Sequence, residues 1–360
     1  MRSPHLPVIA VTLGEPAGVG PEIVVEAAAD PAVRAAARCF VVGEERALRA
    51  AADALGRNLK LEHAADPAAA AFPGDAITLA DTATLSAPVP WGRITPEGGA
   101  ASFAAIAAAC RLAAAGKVGA VATAPIHKEC LRAAAVPYID HTAMFSALTG
   151  SAGVMTMFAT GALRIFFLTR HLALRDVPAA ITFDGVREGI IAAARHLRSL
   201  GFARPRIAVA ALNPHGGEHG LFGSEEEEII APAVRAAAPE VAADLAGPVP
   251  ADAVFHKAAT GAYDAVLSLY HDQGHIAAKT LDFHGTVSFT LGLPFLRTSV
   301  DHGTAFDIAG QGIADARGMK AAILAAAGFA ASYRGARAGQ RGSGSPGAGG
   351  TTIPEKRERH

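Results

Sequence analysis

Short apolar runs alternate with helical patterns along most of the chain, and this alternation restricts the fold more than any other feature. Residues 8–13, 39–42 and 120–123 have the continuous apolar character of buried strands. Helical patterns occupy residues 21–28 and 100–115. Strands that alternate with helices build parallel sheets through βαβ units. The sequence therefore predicts an α/β fold around largely parallel sheets.

Three further strand-like runs each end by presenting a histidine. They are IFFLTRH, ending at His171, IAVAALNPH, ending at His215, and AVLSLYH, ending at His271. In open α/β sheets, ligands bind beyond the carboxyl ends of the strands. Neutral imidazoles are common ligands of divalent transition metals. We therefore predict a metal site formed by these three histidines.

Two predicted helices have recognisable capping signals at their N-termini. Residues 184–200 form an amphipathic pattern, with Asp184 as the expected N-cap. The run SEEEE at residues 224–228 opens another helix, in which Ser224 and Glu227 fit a capping box. We interpret this acidic run as a solvated helix start and not as a cation site.

The end of the chain changes character. A last helix is expected at residues 319–333, and residues 334–360, rich in Gly, Ser, Pro and Arg, are expected to be disordered.

Charge and composition exclude several classes of partner. The chain has 360 residues, with 32 basic and 33 acidic side chains and a formal net charge of −1. This balance argues against nucleic acid or an anionic membrane as the main partner. No apolar stretch is long enough to span a membrane, and no signal peptide is expected at the start. The three cysteines form no CxxC pair, which favours the reducing cytoplasm.

The glycine-rich segment at residues 12–22, TLGEPAGVGPE, follows a strand and precedes a helix. That position suits a phosphate or carboxylate, which could meet backbone N–H groups there. The segment lacks the GxGxxG spacing of a Rossmann fingerprint. A ligand contact and a tight structural turn both remain open.

Two more groups have polar side chains suited to anions or nucleotides. Arg and Lys next to hydroxyl groups suit a phosphate or carboxylate, and such residues occur at His127, Lys128, His141, Thr142, Lys279 and Arg297–Ser299. The loop at residues 301–310, DHGTAFDIAG, could wrap a nucleotide through its backbone groups.

These motifs together resemble the 4-hydroxythreonine-4-phosphate dehydrogenase family of vitamin B6 synthesis. The resemblance extends from about residue 8 to about residue 330. It rests on eight motifs, which are GEPAGVGPE, ATAPIHK, DHTAMF, TRHLALRD, LNPHGGE, GPVPAD, YHDQG and GLPFLRTSVDHGTAFDIAG.

The resemblance implies a two-domain fold of the isocitrate and isopropylmalate dehydrogenase type, with a cleft between the domains. The cofactor domain would comprise residues 1–140 and 290–333, and the metal, substrate and dimerisation domain residues 141–289. Enzymes of this type bind NAD without a Rossmann fingerprint. The active unit would be a homodimer with its sites at the subunit interface.

The resemblance also implies a role for each site residue. His171, His215 and His271 would bind one Zn²⁺, Mg²⁺ or Co²⁺ ion, with His271 supplied by the partner subunit. The substrate would contact His141, Thr142, Lys279, Ser288 and Arg297. NAD or NADP would contact His302, Gly303, Thr304, Ala305 and Asp307. Asp252 and Lys279 are the candidates for proton transfer.

The implied reaction is oxidation of 4-phosphooxy-L-threonine at C3, followed by decarboxylation to 3-amino-2-oxopropyl phosphate, in pyridoxal phosphate synthesis. Two positions depart from the family pattern. Ala143 stands where the family commonly has glutamate, and Ser288 stands where it has a substrate-binding asparagine. Both changes affect the substrate pocket, so a dehydrogenase of 4-phospho-D-threonate or 4-phospho-D-erythronate is the main alternative.

Other classes of protein remain as weaker alternatives. A decarboxylating dihydrodiol dehydrogenase needs no phosphate site, and the segment Arg297–Ser299 argues against it. A metal-dependent hydrolase would need no loop such as 302–307. A non-catalytic metal- or anion-binding protein would need no complete ligand loops on three strand ends.

Overall fold

The computed structural model describes residues 6–333 and residue 335. The predicted disordered tail lies almost entirely outside these residues. Within the described part of the chain, no helix is both long and apolar enough to cross a membrane. The strands are β1 Val8–Thr12, β2 Arg38–Gly43, β3 Leu61–His63, β4 Ile77–Asp81, β5 Ala120–Thr123, β6 Met155–Thr160, β7 Leu163–Phe167, β8 Arg206–Ala210, β9 Asp244–Val249, β10 Ala265–Ser268, β11 Val287–Leu291 and β12 Leu296–Val300.

In the described part of the chain, twelve α-helices connect or follow these strands, together with a few short 3₁₀ turns and one π-helical turn. The helices are α1 Gly20–Ala29, α2 Pro31–Ala36, α3 Glu45–Ala54, α4 Pro96–Ala114, α5 Lys128–Ala133, α6 His141–Thr149, α7 Val177–Ala180, α8 Phe183–Ser199, α9 Ala231–Ala237, α10 Ala251–Ala259, α11 His271–Leu281 and α12 Arg317–Ala330. The predicted α/β alternation is confirmed.

All twelve strands belong to one sheet, in the order β3-β4-β2-β1-β5-β12-β11-β6-β7-β10-β8-β9. Pairing is parallel except where β11 meets β12 and β6, and where β6 meets β7. The predicted fold class, an α/β fold around a largely parallel sheet, is confirmed. Strands of the two predicted domains occupy opposite halves of the sheet order, but the exact domain boundaries stay a prediction.

The alternation of side chains along the strands places different cores on the two faces of the sheet. One face carries a single large core, to which Ile9, Phe166 and Phe289 contribute. The opposite face carries two smaller cores, one around Phe40 and one around Phe158. Between these two cores, the central strands present polar side chains, which are Thr123, Thr156, Ser288, Thr290, Arg297 and Ser299. The family resemblance implies a cleft between two domains, and we call this polar strip the cleft floor.

Two predicted helix starts were wrong in detail. Helix α8 begins after Thr182, whose side chain accepts the backbone amide of Gly185, so Asp184 lies in the first turn and is not the cap. The acidic run forms a π-helical turn, Glu226–Ile230, that continues into α9. The backbone carbonyl of Ser224 accepts hydrogen bonds from the amides of Glu227 and Glu228, in place of the predicted capping box.

Candidate active site

The three strand-end histidines follow neighbouring strands. Strand β10 pairs in parallel with β7 on one side and with β8 on the other. The carboxyl ends of these strands therefore lie at one edge of the sheet, and the loops that begin there carry His171, His271 and His215. The topology thus brings the three histidine loops to one end of the sheet, and the role of the histidines as metal ligands stays a prediction.

Two of the histidines approach each other within one chain. The ring centroids of His171 and His271 lie 6.2 Å apart, with the ring planes inclined by 38°. With metal–nitrogen distances of about 2.0–2.1 Å, two imidazoles on one ion can have centroids up to roughly 6 Å apart. His215 does not complete the set, since the described residues of one chain contain no group of three His, Cys, Asp or Glu side chains positioned to hold a metal.

The donor chemistry of these histidines nevertheless fits a divalent metal. The Nδ1 atom of His215 lies 2.6 Å from Oε1 of Glu218, and Nδ1 of His271 lies 2.6 Å from Oδ1 of Asp272. A carboxylate on one ring nitrogen fixes the tautomer and leaves Nε2 as the ligand atom, which is the usual arrangement around metal-binding histidines.

A buried glutamate that the sequence interpretation missed holds the His215 loop in place. Glu226 is 2% exposed. Its Oε1 accepts the backbone amides of Leu212 at 2.8 Å and Asn213 at 2.7 Å, and its Oε2 accepts the Asn213 side-chain amide at 2.9 Å. The acidic run is therefore not simply a solvated helix start. The one available signal was its length, since four consecutive glutamates exceed what a helix start needs.

The floor of the cleft is built around a buried arginine. Arg297 is 4% exposed; its Nη1 donates to Oγ1 of Thr290 at 2.9 Å and its Nε to Oγ1 of Thr123 at 3.1 Å. The guanidinium carbon lies 5.9 Å from the centre of the Phe145 ring. Burial lowers the pKa of Arg297 to about 9. A group held in this way is suited to an anionic ligand, which would stabilise its charge.

The other predicted substrate residues surround this floor. Burial and the nearby Arg297 charge hold the pKa of His141 well below its usual value, so this ring is neutral. Its Nε2 is buried without a hydrogen-bond partner among the described residues. Thr142 follows in the first turn of α6, and Ser288 is half-buried on β11. An orphaned nitrogen beside a buried arginine indicates a place that a polar ligand fills.

The two candidates for proton transfer lie on different helices. Lys279 on α11 reaches the cleft, where its Nζ lies 2.7 Å from Oδ2 of Asp301 and 2.8 Å from the Asp301 carbonyl oxygen. Asp252 lies in the first turn of α10, a helix that contacts the His215 loop. Lys279 is thus part of the cleft, and Asp252 belongs to the surroundings of His215.

Arg170 is a second cleft arginine to which the sequence interpretation gave no role. Its Nη1 donates to Oγ1 of Thr156 on the polar strip at 2.9 Å. Its charge also interacts with the carboxylates of Asp140 and Asp301. The signal for this residue was its place in the loop after β7, directly before His171.

The glycine-rich segment at residues 12–22 is a tight structural turn. The amides of Glu15, Gly18 and Val19 donate to carbonyl oxygens of Pro125, Glu15 and Thr304. A Cβ atom added at Gly14, where φ is +69°, would lie 2.2 Å from the Pro125 carbonyl oxygen. These backbone groups are used inside the protein, so the structure favours the structural interpretation of the turn over a ligand contact.

The predicted cofactor loop packs against this turn. The Thr304 carbonyl accepts the Val19 amide, and Phe306 stacks on His127 with centroids 4.4 Å apart. Nδ1 of His127 is buried without a partner among the described residues. His302, Gly303 and Asp307 are exposed, Ala305 is half-buried and Thr304 is buried. Exposed backbone beside an unpaired imidazole nitrogen is compatible with a bound nucleotide.

Comparison with known proteins identifies the family. A protein of Symbiobacterium thermophilum named "Putative D-threonate 4-phosphate dehydrogenase" is 49% identical over 329 residues, which is 91% of this chain and 98% of that protein. A solved 4-hydroxythreonine-4-phosphate dehydrogenase from Klebsiella pneumoniae is 41% identical, with a TM-score of 0.82, and the match covers 90% of this chain and 99% of that one.

A more distant solved structure is a terephthalate 1,2-cis-dihydrodiol dehydrogenase from Burkholderia xenovorans. It is 29% identical with a TM-score of 0.61, over 90% of this chain and 98% of that one. The family model for the pyridoxal phosphate biosynthetic protein PdxA matches residues 35–326. The chain therefore belongs to the PdxA family of dehydrogenases.

Proposed function

We propose that this chain is an NAD(P)- and metal-dependent dehydrogenase of a phosphorylated four-carbon sugar acid, D-threonate 4-phosphate or its C2 epimer D-erythronate 4-phosphate. The observation that carries this choice is the charge of the substrate pocket. Arg170, Arg297 and Lys279 supply three cations, and the carboxylates beside them are Asp140 and Asp301.

Both carboxylates already have partners within the chain. Oδ1 of Asp140 accepts the Ala143 amide at 2.9 Å as the cap of α6, and Asp301 pairs with Lys279. Ala143 replaces the glutamate that the family commonly carries. A substrate with a hydroxyl at C2 suits this pocket better than one with an ammonium, because like charges destabilise one another at short range. We therefore propose the sugar acids ahead of the amino acid that the sequence alone favoured.

The reaction follows from the chemistry of the substrate. When bound, NAD(P)⁺ would supply the hydride acceptor for oxidation at C3, and the C3 hydroxyl proton would pass to a base of the enzyme. The new ketone lies β to the C1 carboxylate, so the C1–C2 bond breaks, CO₂ leaves and the electron pair moves toward the ketone oxygen. Protonation at C2 then gives dihydroxyacetone phosphate from a sugar acid, and 3-amino-2-oxopropyl phosphate from the amino acid.

The cleft residues have distinct tasks in this proposal. Arg297, with the neutral His141 and Thr142, holds an anionic group of the substrate and fixes its position. Lys279, kept in the cleft by Asp301, is our first candidate for the proton transfer, and Asp252 is the second. Ser288 lies on the floor beside the substrate.

The three histidines would hold the divalent metal ion. When bound, the metal would supply Lewis-acid stabilisation of the negative charge that develops on the C3 oxygen. Because the described residues of one chain form no complete set of three ligands, we propose that a homodimer completes it, with His271 supplied by the partner subunit as the family resemblance implies.

Exposed apolar side chains close to the histidine loops support this dimer. Groups of exposed apolar side chains often mark surfaces that are buried in an interface. Those near the histidine loops are Leu172, Leu221, Phe222 and Ile276. The three unpaired cysteines are consistent with the proposed cytoplasmic location.

The test is a comparison of initial rates of NAD⁺ and NADP⁺ reduction with Zn²⁺, Mg²⁺ or Co²⁺. The substrates are D-threonate 4-phosphate, D-erythronate 4-phosphate and 4-phosphooxy-L-threonine. We expect a sugar acid to give the highest kcat/KM, and an Ala143→Glu variant to shift the preference toward the amino substrate. A wild-type preference for the amino substrate would overturn the proposal.

4-Phosphooxy-L-threonine remains the second candidate substrate. The observation in its favour is the Klebsiella pneumoniae structure, which carries the name of that activity and aligns over nearly the whole of both chains. The same rate comparison decides between the two.

A further inference from the structure

A row of hydroxyl groups crosses the cleft floor and connects the two cleft arginines. Thr290 on β11 is the cross-strand partner of Thr156 on β6 and of Arg297 on β12. Cα atoms of such antiparallel partners lie about 4.5–5.5 Å apart. The Nη1 of Arg170 donates to Thr156 and the Nη1 of Arg297 donates to Thr290, each at 2.9 Å. Neighbouring hydroxyls on one row therefore anchor both guanidinium groups.

The two arginines differ in how many of their N–H groups remain available to a ligand. Arg297 is buried and uses Thr123 as well as Thr290. Arg170 is exposed, and within the described part of the chain its bond to Thr156 is its one side-chain hydrogen bond. Its remaining N–H groups form a donor fork that matches a carboxylate or a phosphate.

The nearby carboxylates do not fully neutralise the positive charge of the two arginines. Asp140 and Asp301 are the carboxylates that act on Arg170, and both already bind other groups, the amide of Ala143 and the ammonium of Lys279. A ligand with two anionic groups would bring opposite charge to both guanidinium groups.

We propose that Arg170 is a specificity-determining residue that binds the second anionic group of the substrate, while Arg297, with His141 and Thr142, binds the first. The site then selects compounds that carry both a carboxylate and a phosphate on a four-carbon chain. This inference rests on the proposed function for the identity of the substrate, but the contact itself can be measured without turnover.

The test uses one substrate and two analogues that each lack one anionic group. D-threonate lacks the phosphate, and the corresponding tetritol 4-phosphate lacks the carboxylate. Dissociation constants are measured by calorimetry on the intact metal-loaded protein for wild type, Arg170→Gln and Arg170→Lys. The control is Arg175→Gln, since Arg175 lies in the same loop with its side chain 87% exposed.

For D-threonate 4-phosphate we expect Arg170→Gln to weaken binding about 10- to 100-fold, the usual effect of a charged hydrogen bond. Arg170→Lys should recover part of the loss, and the control should bind as wild type does. One of the two analogues should be insensitive to Arg170→Gln, and that analogue identifies the group that Arg170 contacts.

Two outcomes would overturn the inference. One is unchanged binding of D-threonate 4-phosphate by Arg170→Gln, and the other is an equal loss for the substrate and both analogues, which would indicate a structural role. If no sugar acid is oxidised but the doubly anionic compounds bind through Arg170, the proposed reaction fails and the assignment of Arg170 stands.

Discussion

The carboxylate of Glu22 on α1 accepts the backbone amide of Gly312 at 2.7 Å, across 290 residues of the chain. The same side chain accepts the Gly310 amide at 3.2 Å and is fully buried. Hydrogen bonds from amides to a carboxylate are stronger than those between neutral groups. The first helix therefore fixes the far end of the loop that begins at His302, the proposed cofactor loop.

Replacing Glu22 with glutamine should loosen that loop without touching the substrate cleft. The glutamine side chain would turn an NH₂ group toward backbone amides that need an acceptor, at a cost of about 1–3 kcal/mol. We expect the KM for NAD⁺ to rise roughly 10-fold or more, with the KM for the sugar acid unchanged at saturating NAD⁺. Glu26→Gln is the control, because Glu26 lies on the same helix and pairs with Arg57 at the surface. An equal rise in both KM values would contradict the assignment of the loop.

The carboxylates behind the histidines offer a test of the metal site. Glu218 orients His215, whereas Glu227 lies 3.3 Å from His219, a fully exposed histidine that we do not assign to the metal. Glu218→Gln should weaken Zn²⁺ binding about 10- to 100-fold, as loss of such a partner usually does. Glu227→Gln should leave it unchanged. The measurement is competition with a chromophoric chelator, and equal Zn²⁺ affinities in the two variants would count against His215 as a ligand.

The fold followed from the sequence because its determinants are local. Residues 8–13 and 39–42 are apolar on both faces, which is what a buried parallel strand requires, and both formed strands in the sheet. The strands that precede the three histidines were recognised from the same apolar character, and they lie side by side in the sheet. The pairing order between strands far apart in the chain, such as β11 with β6, depends on tertiary packing and has no local signal.

The candidate site was less accessible to sequence reasoning, since its key contacts join distant segments. A run of four glutamates has the composition of a solvated surface, yet the fold buries Glu226 under the His215 loop. Thr182 replaced Asp184 as a cap because helix boundaries depend on which neighbouring side chain reaches the amides first. The position of Arg170 on the hydroxyl row likewise follows from strand register and not from its own sequence neighbours.

Glu226 should therefore be both a stabilising residue and a positioning residue for the metal site. Glu226→Gln would leave two backbone amides and one side-chain amide sharing a single acceptor oxygen, so we expect the free energy of unfolding to fall by about 2–3 kcal/mol. Zn²⁺ affinity should fall as well, because the loop that carries His215 loses its anchor. The neighbouring Glu228 is exposed, and Glu228→Gln should change neither quantity. Denaturant titration and the chelator competition together check this expectation, which fails if stability falls while Zn²⁺ affinity does not.

Glu15 gives the chain a predictable pH dependence of stability. This carboxyl is fully buried, and burial raises its pKa to about 7 in spite of hydrogen bonds from the Ala17 amide and the Ser102 hydroxyl. The folded chain thus binds the proton more tightly than the unfolded chain, whose glutamate titrates near 4.5. The stabilisation from the protonated form is complete below about pH 4.5 and is lost as the pH rises to about 7.

Glu15→Gln should remove this dependence, since glutamine imitates the neutral carboxyl at every pH. We expect the variant to match the wild type in thermal unfolding at pH 4.5 and to exceed it at pH 8, by roughly 3 kcal/mol at most. Glu97→Gln is the control, because Glu97 lies on the adjoining helix with an exposed side chain. If Glu15→Gln instead lowered Tm by the same amount at both pH values, the ionised carboxylate would be the stabilising form, and burial would not govern the titration of Glu15.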